Sequence, residues 1–190
     1  MWFKVIVACV PAAVIGLLLN DFMDTISTPF VVSVMLIVYG AAFIIVERKG
    51  KKPVINDMNE MTYKTAFLIG LFQVLSIVPG TSRSGATILG AVLIGCSRSI
   101  AAEFSFFLAI PVMFGVSLLK IVTNDYAMTG TEWSLLIISM VTAYLVSMAA
   151  VKLLVSYVRS HDFKIFGYYR IVLGIIVILF SLITGSLFTV

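Results

Sequence analysis

Charged side chains are scarce in this sequence. Asp, Glu, Lys and Arg make up 12% of the 190 residues, whereas 61% are hydrophobic and the mean hydropathy is +1.14. A soluble domain carries about twice that share of charge, and its core could not hide so many apolar side chains. The composition therefore excludes a soluble globular domain and predicts an all-α polytopic membrane protein.

Cysteine and histidine are also rare. The two cysteines, Cys9 and Cys96, both lie in apolar stretches, and His161 is the only histidine. A disulfide framework needs more cysteines than this, and a metal site needs clustered ligands. We therefore expect two small buried hydrophobic residues, a solvated loop histidine and no metal site within this chain.

The net charge of +4 and the pI near 9.1 do not indicate nucleic-acid binding. The basic residues lie in loops beside apolar stretches, and they form no basic face of a folded domain. Basic loops set the orientation of a membrane protein. We therefore expect membrane lipids, and no nucleic acid, as partners.

Five apolar stretches have the length of a membrane span, which is about 20 helical residues. We predict a single membrane domain over residues 1–190 with about five transmembrane helices. The predicted spans cover residues 2–19, 30–46, 100–122, 134–156 and 168–188.

A further apolar stretch, residues 65–96, is interrupted by Pro79 and Gly80. Its pieces of about 14 and 11 residues reach about 21 and 16 Å as helices, too short for ~30 Å of hydrocarbon. Two half-length helices joined by a polar turn predict a re-entrant hairpin, with its turn near the midplane beside a cavity. One ordinary span over 65–96 is the alternative.

The distribution of charge favours the hairpin. If residues 65–96 enter and leave on one side, the basic groups named below fall on one face, and the loops 20–29 and 124–133, which contain acidic but no basic residues, fall on the other. The positive-inside rule then makes loop 47–64 cytoplasmic. The basic residues concerned are Lys4, Arg48, Lys49, Lys51, Lys52, Lys64, Arg98, Lys152, Arg159, Lys164 and Arg170.

The polar turn of this hairpin reads PGTSRSG over residues 79–85. Its arginine, Arg83, costs several kcal/mol at membrane depth unless it meets an anion, a partner or water. Hydroxyls, glycines and the start of a new helix surround it, which predicts a phosphate-binding site. Two other interpretations remain: Ser82 or Ser84 caps the helix, and Arg83 is structural.

Residues 79–87, PGTSRSGAT, resemble the Pro-Gly-x-Ser-Arg-Ser-x-x-Thr signature of the bacterial undecaprenyl-diphosphate phosphatases, the bacitracin-resistance membrane phosphatases. The segments DMNEMTY (57–63), FQ (72–73) and AEFSF (102–106) are also similar to that family. The resemblance extends from about Val10 to the C-terminus. It implies hydrolysis of undecaprenyl diphosphate in the bacterial inner membrane, which recycles the lipid carrier for peptidoglycan synthesis and confers bacitracin resistance.

The resemblance also implies an inverted-repeat fold. Residues 1–46 would be two spans of the first repeat, 47–64 a cytoplasmic loop, 65–96 the second hairpin and 100–188 three spans of the second repeat. On this basis we assign catalytic roles to Arg83, Ser82 and Thr87. We assign substrate contacts to Gly80, Thr81, Ser84, Gly85 and Gln73.

This sequence departs from the family at the first hairpin. The family's Glu-x-x-x-Glu motif and the histidine beside it have no counterpart here. In the second hairpin, Gln73 occupies the position equivalent to the first glutamate of that motif, and Ile77 occupies the position equivalent to the second. We therefore expect a fragment or a shortened relative that is at best a feeble phosphatase alone. The resemblance allows a divalent cation, Mg²⁺ or Ca²⁺, with ligands outside this chain, and leaves a homo-oligomer open.

Other assignments remain open from the sequence. Glu103 could pair with Arg83 or Arg98, or bind a divalent ion. A transporter or a non-catalytic binding protein for a lipid-linked or small phosphate anion would use the same half-helices.

Overall fold

A computed structural model of the chain describes residues 1–50, 52–123, 129–160 and 162–187. Lys51, Asp125 and His161, which the sequence assigns to loops, and residue 188, the predicted end of the last span, lie outside the described residues. Within these ranges the chain forms helices α1 (Trp2–Thr25), α2 (Pro29–Lys49), α3 (Tyr63–Val74), α4 (Arg83–Ile94), α5 (Arg98–Thr123), α6 (Gly130–Ser160) and α7 (Lys164–Thr184).

In the described part of the chain, α1, α2, α5, α6 and α7 are long and apolar enough to cross a membrane. Local sequence explains where they end. At α2, for example, Thr28 caps the first turn, Pro29 occupies a position where its missing N–H costs nothing, and Gly50 takes the left-handed conformation that stops the helix. The predicted all-α polytopic fold is confirmed.

Residues 65–96 form two short helices. Each of α3 and α4 has 12 residues, or about 18 Å at helical rise, and a 3-10 turn (Leu75–Ile77) extends α3 towards the tip. Ser82 caps α4, and Gly95, with a φ of 115°, ends it. A count of spans from hydropathy alone would predict one span over residues 65–96, where the structure has a helical hairpin.

Both ends of the hairpin lie on the face that carries loop 47–64. Lys4 Nζ donates to the carbonyl of Met58 over 3.1 Å just before α3 begins. At the other end, the N–H of Val54 donates to the carbonyl of Gly95 over 2.8 Å. The chain therefore enters and leaves on one side, and the alternative of an ordinary span over 65–96 does not match this structure.

Glycines allow the helices to approach closely. A Cβ on Gly40 of α2 would lie 2.7 Å from the carbonyl oxygen of Gly167 of α7, and a Cβ on Gly167 would lie equally close to that of Gly40. Small residues at such a crossing give membrane helices their van der Waals contact. This close α2–α7 packing brings the first third of α7 next to the hairpin.

Glu47 joins three helix ends on the same face. Its carboxylate, 4% exposed, accepts from Arg98 Nε over 3.0 Å and from the N–H of Phe163 over 3.2 Å. The contacts connect the end of α2 with the starts of α5 and α7. Arg98 donates to Glu47 through both Nε and Nη2, so Glu47 is an ion-pair partner of Arg98.

Candidate active site at the re-entrant turn

Arg83, the first residue of α4, lies inside the bundle. Its Nη2 donates to the carbonyl of Ser105 over 3.2 Å and its Nη1 to that of Leu108 over 3.4 Å, both on α5. These carbonyls lie about 10 and 15 Å along α5 from Arg98, which places the guanidinium near mid-membrane. No carboxylate of the described residues forms a salt bridge with Arg83. Its charge is therefore available to an anion.

The tip of the hairpin lies deeper than expected. Gly80 has a φ of 85° and packs so tightly on Val32 that a Cβ would lie 2.6 Å from the Cα of that residue. Val32 is in the first turn of α2, at the end opposite to loop 47–64. The turn therefore lies beyond the predicted midplane, close to the far ends of the spans, because the 3-10 turn lengthens the first arm of the hairpin.

The two serines of the turn face each other. Ser82 Oγ accepts the N–H of Gly85 over 3.2 Å and lies 3.2 Å from Ser84 Oγ. The capping interpretation of Ser82 is thus correct. Capping occupies one lone pair of the Ser82 hydroxyl. Its proton and its second lone pair are not used by the cap. One of these half-buried hydroxyls donates to the other, so one proton of the pair can donate to an anion while that contact persists, and both can if it opens.

Thr87 is fully buried. Its Oγ1 lies 2.7 Å from Ser105 Oγ and 3.1 Å from the carbonyl oxygens of both Arg83 and Ser84. The hydroxyl has no open side for a substrate in this arrangement. Its geometry suits a residue that positions the first turn of α4 against α5.

Two predicted substrate contacts are buried without hydrogen-bond partners. Gln73 is 1% exposed, and neither atom of its side-chain amide has a partner among the described residues. The hydroxyl of Thr81 is also buried and makes no hydrogen bond of ordinary geometry there, although the Tyr39 hydroxyl is close enough to interact with it. An unsatisfied buried polar group costs about 1–3 kcal/mol. Both side chains therefore require a ligand, a water or another segment to satisfy them.

Arg170 of α7 is a site residue that the sequence analysis missed. Its guanidinium packs on Gly85, where a Cβ would lie 2.8 Å from Nη2, and its Cζ lies 5.5 Å from the centre of the Phe43 ring. Its Nη1 is buried without a hydrogen-bond partner in the described residues. The sequence analysis placed Arg170 among the basic loop residues, and this assignment is wrong. Arg170 lies inside α7, and an ionisable residue within a span is usually functional.

A small cavity of about 90 Å³ lies beside Arg170, with Ser84 and Gly85 in its lining. The volume is about that of three water molecules at ~30 Å³ each, which is comparable to one phosphate group. Apolar side chains, including Phe43 and Phe166, form most of the remaining wall. Arginines at the start of α4 and in α7 thus flank the N-terminal turn of α4.

The donors collected here do not fit a divalent cation. They are guanidinium groups, hydroxyls and backbone N–H groups, which attract anions, whereas Mg²⁺ and Ca²⁺ require carboxylate or carbonyl oxygens. No group of three or more His, Cys, Asp or Glu residues with metal-binding geometry occurs in the described ranges. The arrangement can bind a phosphate and stabilise negative charge that develops on it.

Known proteins share this sequence almost throughout. The profile of the family described as bacitracin resistance protein BacA matches residues 1–176. Proteins named undecaprenyl-diphosphatase are 53% identical in Desulfitobacterium hafniense and in Streptococcus thermophilus, and 52% identical in Enterococcus faecalis. The alignments cover 95%, 95% and 96% of this chain, and 66%, 65% and 67% of those proteins.

The chain therefore spans about two thirds of the length of the curated relatives that it matches. The matched part includes the re-entrant turn, Arg83, the whole of α1, α2, α5 and α6, and α7 as far as residue 176. From this agreement we conclude that the chain belongs to the bacitracin resistance protein BacA family, as a multi-pass protein of the bacterial inner membrane.

Proposed function

We propose that this chain forms the phosphate-binding half of an enzyme that hydrolyses undecaprenyl diphosphate. Water would add to the terminal phosphorus, the bond from that phosphorus to the bridging oxygen would break, and undecaprenyl phosphate and inorganic phosphate would leave. The reaction recycles the lipid carrier of cell-wall synthesis. The relatives named undecaprenyl-diphosphatase support the substrate. Arg83, a half-buried arginine at a helix N-terminus without a carboxylate partner among the described residues, is the observation that carries the proposal.

Arg83 would neutralise the charge that develops in phosphoryl transfer. A guanidinium has five N–H donors, and in this structure two hydrogen bonds of Arg83 go to carbonyls of α5. Its remaining donors can reach phosphate oxygens while those two hold the group in place. Such preorganised donors stabilise the transition state without reorganising during the reaction.

The groups around Arg83 would complete the phosphate site. Ser82 and Ser84 would donate hydroxyl protons, the first N–H groups of α4 would face the anion, and Gly80 and Gly85 would let backbone come close. Thr81 and Gln73 would use their unpaired polar atoms. Thr87 would act by positioning Arg83, and Arg170 would supply a second positive charge.

The proton acceptor for the attacking water must come from elsewhere. Hydrolysis needs a base near the nucleophile, and the turn offers hydroxyls and cations rather than carboxylates. We infer that the acidic residues implied by the resemblance belong to the third of the relatives that this chain does not span, and that a divalent cation, if the reaction uses one, binds there. A homo-oligomer would be a second way to complete the site.

Phosphate release tests this function. The purified chain in vesicles should release little phosphate from undecaprenyl diphosphate alone, and more when the remaining third of the Enterococcus faecalis relative is co-expressed with it. Arg83→Lys should then lower turnover at least about 100-fold, because lysine keeps the charge but loses the planar fork.

Arg48→Lys, at an exposed arginine in the last turn of α2, is the matched control and should keep turnover. Wild-type turnover in Arg83→Lys would remove Arg83 from the mechanism. Movement of labelled substrate across the vesicle without phosphate release would favour transport over hydrolysis. No observation on the fold or the relatives favours that transporter alternative.

A further inference from the structure

A second and larger cavity opens at the end of the bundle that carries the basic loop 47–64. Its volume is about 490 Å³, within the ~300–1,000 Å³ range of ligand sites. The end of α2, the end of α4 and the start of α5 form its walls. The bridge between Val54 and Gly95 and the Glu47–Arg98 ion pair hold these walls together. None of the residues assigned to the phosphate site lines it.

The cavity is positively charged. Lys49, Lys52 and Arg98 are its basic lining residues and Glu47 is its acidic one, which leaves a net charge of +2. Glu47 neutralises Arg98 through two hydrogen bonds. Neither lysine forms a salt bridge with a carboxylate of the described residues. Two unpaired ammonium groups at the rim therefore favour an anionic ligand.

The rest of the lining has a polar part and an apolar part. Ser97 and Ser99 contribute hydroxyls whose oxygens lie 3.5 Å apart. Val46 and Val92 provide apolar surface, and Leu93, which is 41% exposed, carries that surface to the outside of the bundle. A ligand with an anionic head and an apolar body matches this division, whereas free phosphate would leave the apolar part uncovered.

We propose that this cavity binds the phosphate head group of an anionic phospholipid. The lysines would bind the phosphate, the serine hydroxyls would donate to its oxygens, and the first part of an acyl chain would lie along Val92 and Leu93. The position supports the lipid source, because the cavity is at the ends of the spans and basic residues there meet the anionic cytoplasmic leaflet. The site is separate from the one that contains Arg83.

Lipid retention tests the proposal with the chain as it exists. The chain is reconstituted with phosphatidylcholine and phosphatidylglycerol, extracted, and analysed for bound lipid by native mass spectrometry. We expect phosphatidylglycerol to be retained about tenfold over phosphatidylcholine. The double variant Lys49→Gln and Lys52→Gln should lose that preference. Val92→Phe, which keeps every charge but fills the apolar floor, should lower retention of phosphatidylglycerol.

The matched control removes two other exposed basic residues, Arg48→Gln and Lys152→Gln, neither of which lines the cavity. It should keep the preference for phosphatidylglycerol. An equal loss in the control would overturn the proposal in favour of general surface charge. Displacement of the lipid by millimolar inorganic phosphate would also overturn it, because the ligand would then be soluble phosphate. Neither measurement involves hydrolysis, so the result is independent of the proposed activity.

Discussion

The hydroxyl oxygens of Thr87 and Ser105 lie 2.7 Å apart in the core of the bundle, where both residues are almost completely buried. Thr87 also contacts the backbone carbonyls of Arg83 and Ser84, and the carbonyl of Ser105 accepts from the guanidinium of Arg83. One pair of residues therefore holds Arg83 at both ends. The accuracy with which that arginine is placed depends on a contact between α4 and α5.

Thr87→Val should test this positioning role. Valine has nearly the same shape but no hydroxyl, so Ser105 loses its partner at an expected cost of about 1–3 kcal/mol. Thermal unfolding in detergent measures the loss of stability, and phosphate release in the reconstituted enzyme should fall with it. Thr87→Ser restores the hydroxyl and should recover most of the activity.

Thr142→Val is the matched control, because Thr142 is exposed on α6 and its hydroxyl donates only to the carbonyl of Ile138. It should change neither stability nor turnover appreciably. If Thr87→Val behaves like this control, the Thr87–Ser105 contact does not position Arg83.

Gly85→Ala should displace Arg170 without removing its charge. The new methyl group would lie 2.8 Å from Nη2 and 3.1 Å from Nη1, so the flexible guanidinium must move away from the start of α4. We expect pyrophosphate to bind roughly tenfold more weakly, the equivalent of one charge-assisted hydrogen bond. Isothermal titration of the chain in nanodiscs measures this affinity.

Gly115→Ala controls for the general effect of a methyl group, because the Cβ it would add meets no described atom within 4 Å apart from its chain neighbours and the backbone of its own helix. Its pyrophosphate affinity should match that of the wild type. Unchanged affinity in both variants would mean that Arg170 does not contact the anion.

The topology can be tested with single cysteines in a background in which Cys9 and Cys96 are alanine. Lys52→Cys and Lys164→Cys should resist a membrane-impermeant maleimide in intact cells, whereas Thr129→Cys should react, because the positive-inside rule places the first two in the cytoplasm. Permeabilised cells, in which all three should react, provide the control. The opposite labelling pattern would invert the orientation of the bundle.

Cys96 should be unreactive in the folded chain at neutral pH. Burial in the turn between α4 and α5 raises the pKa of its thiol from the ordinary 9.0 to about 11, because the charged thiolate is poorly solvated there. The rate of reaction with an aromatic disulfide should therefore rise near pH 11 in the folded chain and near pH 9 in the denatured chain.

The same shift links stability to pH. A group whose pKa is raised by folding contributes stability below its unfolded pKa, and that contribution disappears as the pH rises through the folded pKa. Stability should therefore fall between about pH 9 and 11 by more in the wild type than in Cys96→Ala. Identical pH profiles would show that burial does not suppress ionisation of this thiol.

Hydropathy and chain breakers predict much of this fold. The five spans and the interruption at Pro79 and Gly80 follow from contiguous residues, and the structure agrees with both. Arg83 also stands out in the sequence alone, since an arginine within an apolar stretch is costly wherever it lies. The depth of the turn could not be predicted, because it depends on the 3-10 turn and on the contact between Gly80 and Val32.

The sequence by itself determined which segments cross the membrane, where the hairpin turns, and which arginine opens its second helix. These properties depend on residues that are neighbours in the chain, so local apolarity and helix capping decide them. Only the tertiary structure decided that Arg170 lies against Gly85 and that Thr87 faces Ser105. Both contacts depend on how separate helices pack, the first of them on α7, which approaches α2 closely at Gly40 and Gly167, and no pattern within a single segment records that packing.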